Sequence, residues 1–134
     1  FQDYADNFKS ISKRIHLISF GEVAVNEMLM RCRMLITDYS SVCWDILYQD
    51  KPSLFYQFDI EKYNEAHGSY IDMDTELFGD RAKTQEQLLD RLEETVQNDF
   101  HLKPEYEKMR KEYLQFKDHN HSKHICEEIK ERFC

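Results

Sequence analysis

Apolar residues recur along this chain at two different spacings, and each change of spacing marks an element. Ile15, Leu17 and Ile18, between Arg14 and Phe20, fit a short strand. Val25, Met28, Leu29 and Cys32 then follow the i, i+3, i+4, i+7 spacing of a helical face. Leu35 to Thr37 reads as the next strand, and Ser40 to about Gln49 as the next helix, closed by Asp50-Lys51-Pro52. Ser53-Leu54-Phe55-Tyr56 forms a third strand. Strand, helix, strand, helix within ~35 residues predicts a parallel sheet with crossover helices. Upstream, Phe1, Tyr4, Phe8 and Ile11 stand at helix-like spacing and predict a short helix over residues 1–12.

Beyond the third strand the periodicity lapses. Asp59 to Asp74 reads as a long irregular loop with His67-Gly68 as its turn, and a loop that long in a compact domain is usually functional or mobile. Thr84-Gln85-Glu86-Gln87 is a capping box that opens a helix with Leu88, Leu89, Leu92 and Val96 on one face. Pro104, at a first helical position, opens another carrying Tyr106, Met109, Tyr113 and Phe116. Ser122 is placed to cap a last one carrying Ile125, Ile129 and Phe133, so the final third is helical. The expected class is α/β: a Rossmann-like three-layer domain around a parallel sheet, with a helical C-terminal third.

Composition narrows what such a domain can do. A chain of 134 residues suits one domain with its own core. With 13% aromatic residues, three Gly and two Pro, it is a packed chain and no linker. Its net charge of -8, from 26 acids against 18 Lys and Arg without a basic stripe, sets duplex nucleic acid aside as a partner. The clusters at Lys9, Lys13 and Arg14 and at Arg31 and Arg33 are too small to change that. Cys32, Cys43, Cys126 and Cys134 show no paired spacing, which fits a reduced, cytoplasmic interior and neither a zinc ribbon nor a disulfide framework. No apolar run nears the ~20 residues that cross a bilayer, and the start lacks the layout of a secretion signal. The first residue is not Met, which fits a piece of something longer.

The densest candidate chemistry lies at Leu35-Ile36-Thr37-Asp38-Tyr39-Ser40-Ser41-Val42-Cys43-Trp44-Asp45. A buried strand here runs through a polar turn into a helix start, where backbone N–H groups and the helix dipole favour a phosphate. Ser40 and Ser41 have two possible roles, capping the helix or binding a diphosphate with their hydroxyls. Asp38 would repel a bare phosphate, so it suits a hydrogen bond to the turn's backbone, a sugar hydroxyl or a bridging cation. Asp45, one turn beyond Ser41, is a candidate for the same side, against the alternative of a solvated helix acid. Trp44 reads as core. His67 is either a phosphate or proton-transfer contact or a plain loop residue. His119, His121 and His124 lack a Cys or carboxylate at a standard ligand spacing, so no physiological metal site is expected.

With those residues in view, the chain resembles the C-terminal portion of the CDP-glycerol glycerophosphotransferase family, the teichoic-acid polymerases and primases. The likeness is tightest over Leu35 to Ser41, continues through Trp44-Asp45, Lys51-Pro52, Phe55-Tyr56, Asp59 and Tyr63, and reaches Gly68-Ser69-Tyr70, covering roughly residues 15–95. Three positions depart from the family pattern. His67 stands where an Arg is usual, which would make a phosphate contact weaker and pH-dependent. Phe78-Gly79-Asp80 replaces a Pro-Gly-Pro-like turn, and Arg33 an Asp.

The resemblance implies the C-terminal, donor-binding half of a GT-B enzyme, with residues 1–134 as a single domain fragment. It implies a CDP-glycerol or CDP-ribitol donor as substrate, no required cofactor, and a lipid-linked or polymer acceptor contacted through a part outside this chain. Membrane contact would also come only through that part, with the full-length protein cytoplasmic and peripheral to the inner membrane face. Thr37, Ser40 and Ser41 would bind the diphosphate, Asp38 and Asp45 would shape the pocket or meet polyol or ribose hydroxyls, and His67-Gly68 would close over the donor. No catalytic residue is expected here; the base would lie upstream. The rival readings are a GT-B glycosyltransferase using a nucleotide sugar for capsule or wall polysaccharide, and a non-catalytic, receiver-like phosphate-binding module.

Overall fold

The computed structural model describes residues 12–19 and 21–133. The chain forms two compact units, residues 1–32 and 33–134. The helix expected over residues 1–12 lies almost wholly outside the described residues. In the first unit, α1 spans Val25–Arg31 and buries Leu29. The strand expected at residues 14–20 is not formed among the described residues. Ser12 and Arg14 make a turn there, with Ile15 N–H donating to the Ser12 carbonyl at 3.1 Å, and Ile15, Leu17 and Ile18 are exposed. An alternating apolar run becomes a strand only where a ladder partner satisfies its backbone.

The second unit is an α/β layer built on a three-stranded parallel sheet in the order β1-β2-β3. β1 is Leu35–Thr37, α2 Val42–Tyr48, β2 Ser53–Tyr56, α3 Ile60–Ala66, β3 Asp80–Ala82, α4 Gln85–Gln97, α5 Pro104–Tyr113 and α6 His121–Phe133. Leu35, Ile36 and Thr37 pair with Ser53, Leu54 and Phe55; Leu54, Phe55 and Tyr56 pair with Asp80, Arg81 and Ala82. β2 is the central strand, buried from Ser53 through Phe55, as expected of a strand bonded on both edges.

α2 ends as its sequence implies. Asp50 takes the left-handed conformation at φ 55°, and Lys51 N–H donates to the Ile46 carbonyl at 3.2 Å while Asp50 N–H donates to that of Leu47 at 3.0 Å. That pair of bonds satisfies the last carbonyls and turns the chain toward β2. α4 opens on Thr84, whose Oγ1 accepts from Gln87 N–H at 3.2 Å; the Gln87 side chain reaches back to Lys83 N–H at 2.8 Å. Its packed face is Leu88, Leu92 and Thr95, while Leu89 and Val96, expected on that face, are exposed. α5 begins at Pro104 as expected and packs Tyr106, Met109 and Tyr113 on the core. α6 starts at His121 on the Asn120 carbonyl, so Ser122 lies inside its first turn instead of capping it.

Two further departures from the sequence expectation lie around β3. Residues 60–66 of the expected loop form α3, and Phe78-Gly79-Asp80, expected as a turn, leads directly into β3. Phe78 is 1% exposed and sits in one core with Cys43, Leu47, Phe55 and Leu102. Gly79 is required by contact: a Cβ there would lie 2.3 Å from the Ser53 carbonyl oxygen and 2.8 Å from the Phe55 ring. Asp80 is paired with Lys103 Nζ at 2.7 Å and accepts from the Tyr106 hydroxyl at 2.8 Å, so its near-buried charge has partners.

Gly79→Ala should therefore lower stability by about 2–3 kcal/mol and Tm by roughly 10 °C. Thermal melts of the two proteins check this. Burial pushes the Cys43 thiol from its ordinary 9.0 up to about 11. The folded thiol is then still protonated where the unfolded one ionises, so this contribution is complete below about pH 9 and is lost as pH rises toward 11. At pH 8 iodoacetamide should modify the exposed Cys126 and spare Cys43, with Cys43 labelled only on denaturation; mass spectrometry reads the outcome.

Candidate functional site

Because the sheet is parallel, β1, β2 and β3 all end on one edge, and the residues that follow them meet there. That edge is where open α/β sheets bind ligands. The turn after β1 lines a cavity of about 350 Å³, within the range of small-molecule sites. Its floor is apolar, including Trp44, Phe55 and Phe78. Its polar rim carries Asp38, Ser40, Ser41, His67 and Ser69.

The turn is held tightly. Asp38 Oδ1 accepts from Tyr39 N–H at 2.6 Å, so the carboxylate is spent on the backbone of its own turn. The Tyr39 hydroxyl donates to Asp59 Oδ1 at 2.8 Å, and its ring lies flat on Tyr63, 3.6 Å between centroids and 6° from parallel. Tyr63 in turn stacks on His67 at 5.2 Å and 18°. Burial, and then the Asp59 bond, hold the Tyr39 phenol above its ordinary range, so it stays neutral. This column explains α3: Ile60 is buried at its base, and Tyr63 and His67, three and seven residues on, face the turn. Gly68, at φ 70°, then redirects the chain along the cavity rim.

Ser41 occupies the N-cap position of α2, yet its side chain makes no capping bond. Among the described residues neither serine hydroxyl is engaged, and both line the cavity. The backbone offers less than the sequence pattern implied, because Cys43 and Trp44 N–H already donate to the carbonyls of Ser40 and Ser41 at 3.3 and 3.1 Å. The junction still presents two unengaged hydroxyls to the cavity. His67 is the one cavity-lining residue among those described that can carry positive charge.

Thr37 ends β1 half-buried, paired opposite Phe55, and Asp45 is exposed on α2; neither lines the cavity. Trp44 packs in the core, 4.3 Å from Phe78 and 5.5 Å from Tyr113 by ring centroid, and exposes one side to the cavity. The three histidines go separate ways. His121 meets the Tyr48 hydroxyl at 3.1 Å, His124 meets Asp118 at 2.9 Å and stacks on Phe116, and His119 takes a left-handed turn. No group of three potential metal ligands occurs among the described residues.

Sequence reasoning missed the supports of this cavity. Arg81 of β3 donates to the Met73 carbonyl at 3.0 Å and pairs with Asp74, fixing the segment through which Met73 lines the cavity. Gln57, just past β2, donates to the Asp38 carbonyl at 3.1 Å. Each works through a partner distant in sequence, and no local motif marks either one.

Among the described residues no helix is long and apolar enough to cross a membrane. No solved structure matches the chain. Teichoic acid poly(ribitol-phosphate) polymerase of Bacillus spizizenii is 35% identical over 95 residues, 71% of this chain and 14% of that protein. Teichoic acid poly(glycerol phosphate) polymerase of Bacillus subtilis is 35% identical over 79 residues, 58% of this chain and 11% of that protein. Teichoic acid glycerol-phosphate primase of Bacillus spizizenii is 29% identical over 112 residues, 84% of this chain and 28% of that protein. The matched part of the chain therefore spans about a tenth to a quarter of the length of these relatives. The family described as CDP-Glycerol:Poly(glycerophosphate) glycerophosphotransferase matches residues 2–131, and the chain belongs to it.

Proposed function

We propose that this chain is the donor-binding part of a polyol-phosphate transferase: it holds a CDP-activated polyol whose phosphate is passed to a growing teichoic-acid-like polymer, releasing CMP. The observation that carries the reading is the pair of free hydroxyls, Ser40 and Ser41, on the rim of a cavity at the carboxyl edge of a parallel sheet. Hydroxyl donors fixed on a rigid turn suit a diphosphate, because charge grows on the transferred and leaving phosphates as the acceptor hydroxyl attacks phosphorus. His67 can add positive charge from the facing loop when protonated. The names of the relatives, polymerases and primases of glycerol and ribitol phosphate, support a polyol donor over a nucleotide sugar.

Within that reading the fold is the C-terminal half of a GT-B architecture, and residues 1–134 form one domain fragment of a larger enzyme working at the inner face of the membrane. Acceptor and membrane contacts then come from elsewhere in that enzyme, as does the base that takes the acceptor's proton. Among the described residues the cavity lining holds no basic side chain except His67, which is stacked on Tyr63.

Replacing Ser40 and Ser41 together by Ala should weaken CDP-glycerol binding about tenfold or more while moving Tm by no more than about 3 °C, because the hydroxyls support no bond in the fold. Calorimetric titration and a thermal melt check both halves; unchanged affinity with a large fall in Tm would make them structural. Mixed with CDP-glycerol and a polymer acceptor, the chain by itself should release no CMP above background, and measurable turnover would place the base inside it.

A further inference from the structure

We propose that Gln57 is a positioning residue: it holds the peptide that leads into Ser40 and Ser41, and so fixes the geometry in which the diphosphate is bound. This rests on the reading of the cavity given above. Gln57 follows the central strand and is 0% exposed, an unusual place for a long amide. Its own backbone is fixed, with N–H donating to the Ala82 carbonyl at 2.9 Å as a continuation of the sheet. From that anchored position Nε2 donates to the Asp38 carbonyl at 3.1 Å and touches Met73 Sδ at 3.7 Å. Asp38 and Met73 both line the cavity, so one buried amide nitrogen touches two of its lining residues.

The carbonyl that Gln57 holds belongs to the Asp38–Tyr39 peptide. The N–H of that same peptide is held by the Asp38 carboxylate at 2.6 Å. Both ends of one peptide unit are therefore gripped from different sides, and the next two residues are Ser40 and Ser41. A peptide gripped at both ends cannot rotate about its flanking bonds without breaking one of them. Stability alone does not account for the amide. Gln57 Oε1 is buried with no partner in the protein, a burden that an unbranched apolar side chain of the same length would not carry. Asp38 itself is exposed, and its bond to the amide is only partly buried. What is lost on removal is orientation.

The test is Gln57→Met in the 134-residue chain, read by thermal melt, by calorimetric titration with CDP-glycerol and by amide NMR without ligand. The expected result is a Tm within about 3 °C of the native chain, a Kd raised about tenfold, and displaced or broadened Ser40 and Ser41 amide signals with those of α4 unmoved. Unmoved Ser40 and Ser41 signals overturn the proposal. So does an unchanged Kd, or a large fall in Tm with native affinity in the folded fraction, which would make Gln57 only a packing residue. If the native chain binds no CDP-glycerol, the donor reading fails on its own, and the ligand-free amide signals still decide whether Gln57 orients the turn.

Discussion

β2 has four residues and is hydrogen-bonded on both edges, and the arrangement of residues 33–134 depends on that pairing. β3 reaches its register only because Gly79 lets the incoming chain lie against the Ser53 carbonyl and the Phe55 ring. The same approach drives Phe78 into the core beneath the cavity. With three parallel strands in register, Asp38, Gln57 and Lys83 leave the sheet on one side. A site assembled from stretches far apart in sequence follows from that geometry, since each strand end contributes its next residue to the same edge.

The cavity floor and the protein core are made of the same side chains. Trp44, Phe55 and Phe78 interlock with Tyr113 in a cluster of edge and tilted ring contacts, and the cavity is what this cluster leaves uncovered. Truncating such a ring costs about 3–5 kcal/mol against a total stability of about 5–15. Changes in the floor therefore disturb folding and binding together. The rim is separable: the serine hydroxyls support no bond in the fold, and the column Tyr39–Tyr63–His67 ties α3 to the turn by stacking.

β1, β2, the start of α5 and the cap of α4 were legible because each is written locally, as an apolar run, a proline or a capping residue. β3 was not, because two of its three residues are charged and are made tolerable by distant partners: Asp80 by Lys103 and Tyr106, Arg81 by Asp74 and Met73. α3 was hidden for a related reason. Its helical stripe is only Ile60, Tyr63 and His67 among charged neighbours, and Tyr39 supplies the contact that orders it. Ile15 to Ile18 erred in the other direction, carrying a strand pattern with no ladder to join. At the site, the polar turn at residues 38–41 was visible as a motif, whereas Gln57 and the aromatic column required knowing which strands are neighbours.

The central claim is that the serine turn, closed by the Tyr63–His67 side, receives the nucleotide diphosphate. Titrating the isotope-labelled chain with CDP-glycerol and following every backbone amide by NMR tests it most directly. The account predicts saturable shifts concentrated at residues 38–44 and 67–71, around the cavity. Shifts centred instead on the polar groove of Arg81, Lys83 and Arg91 beside α4, with the serine turn unmoved, would contradict it.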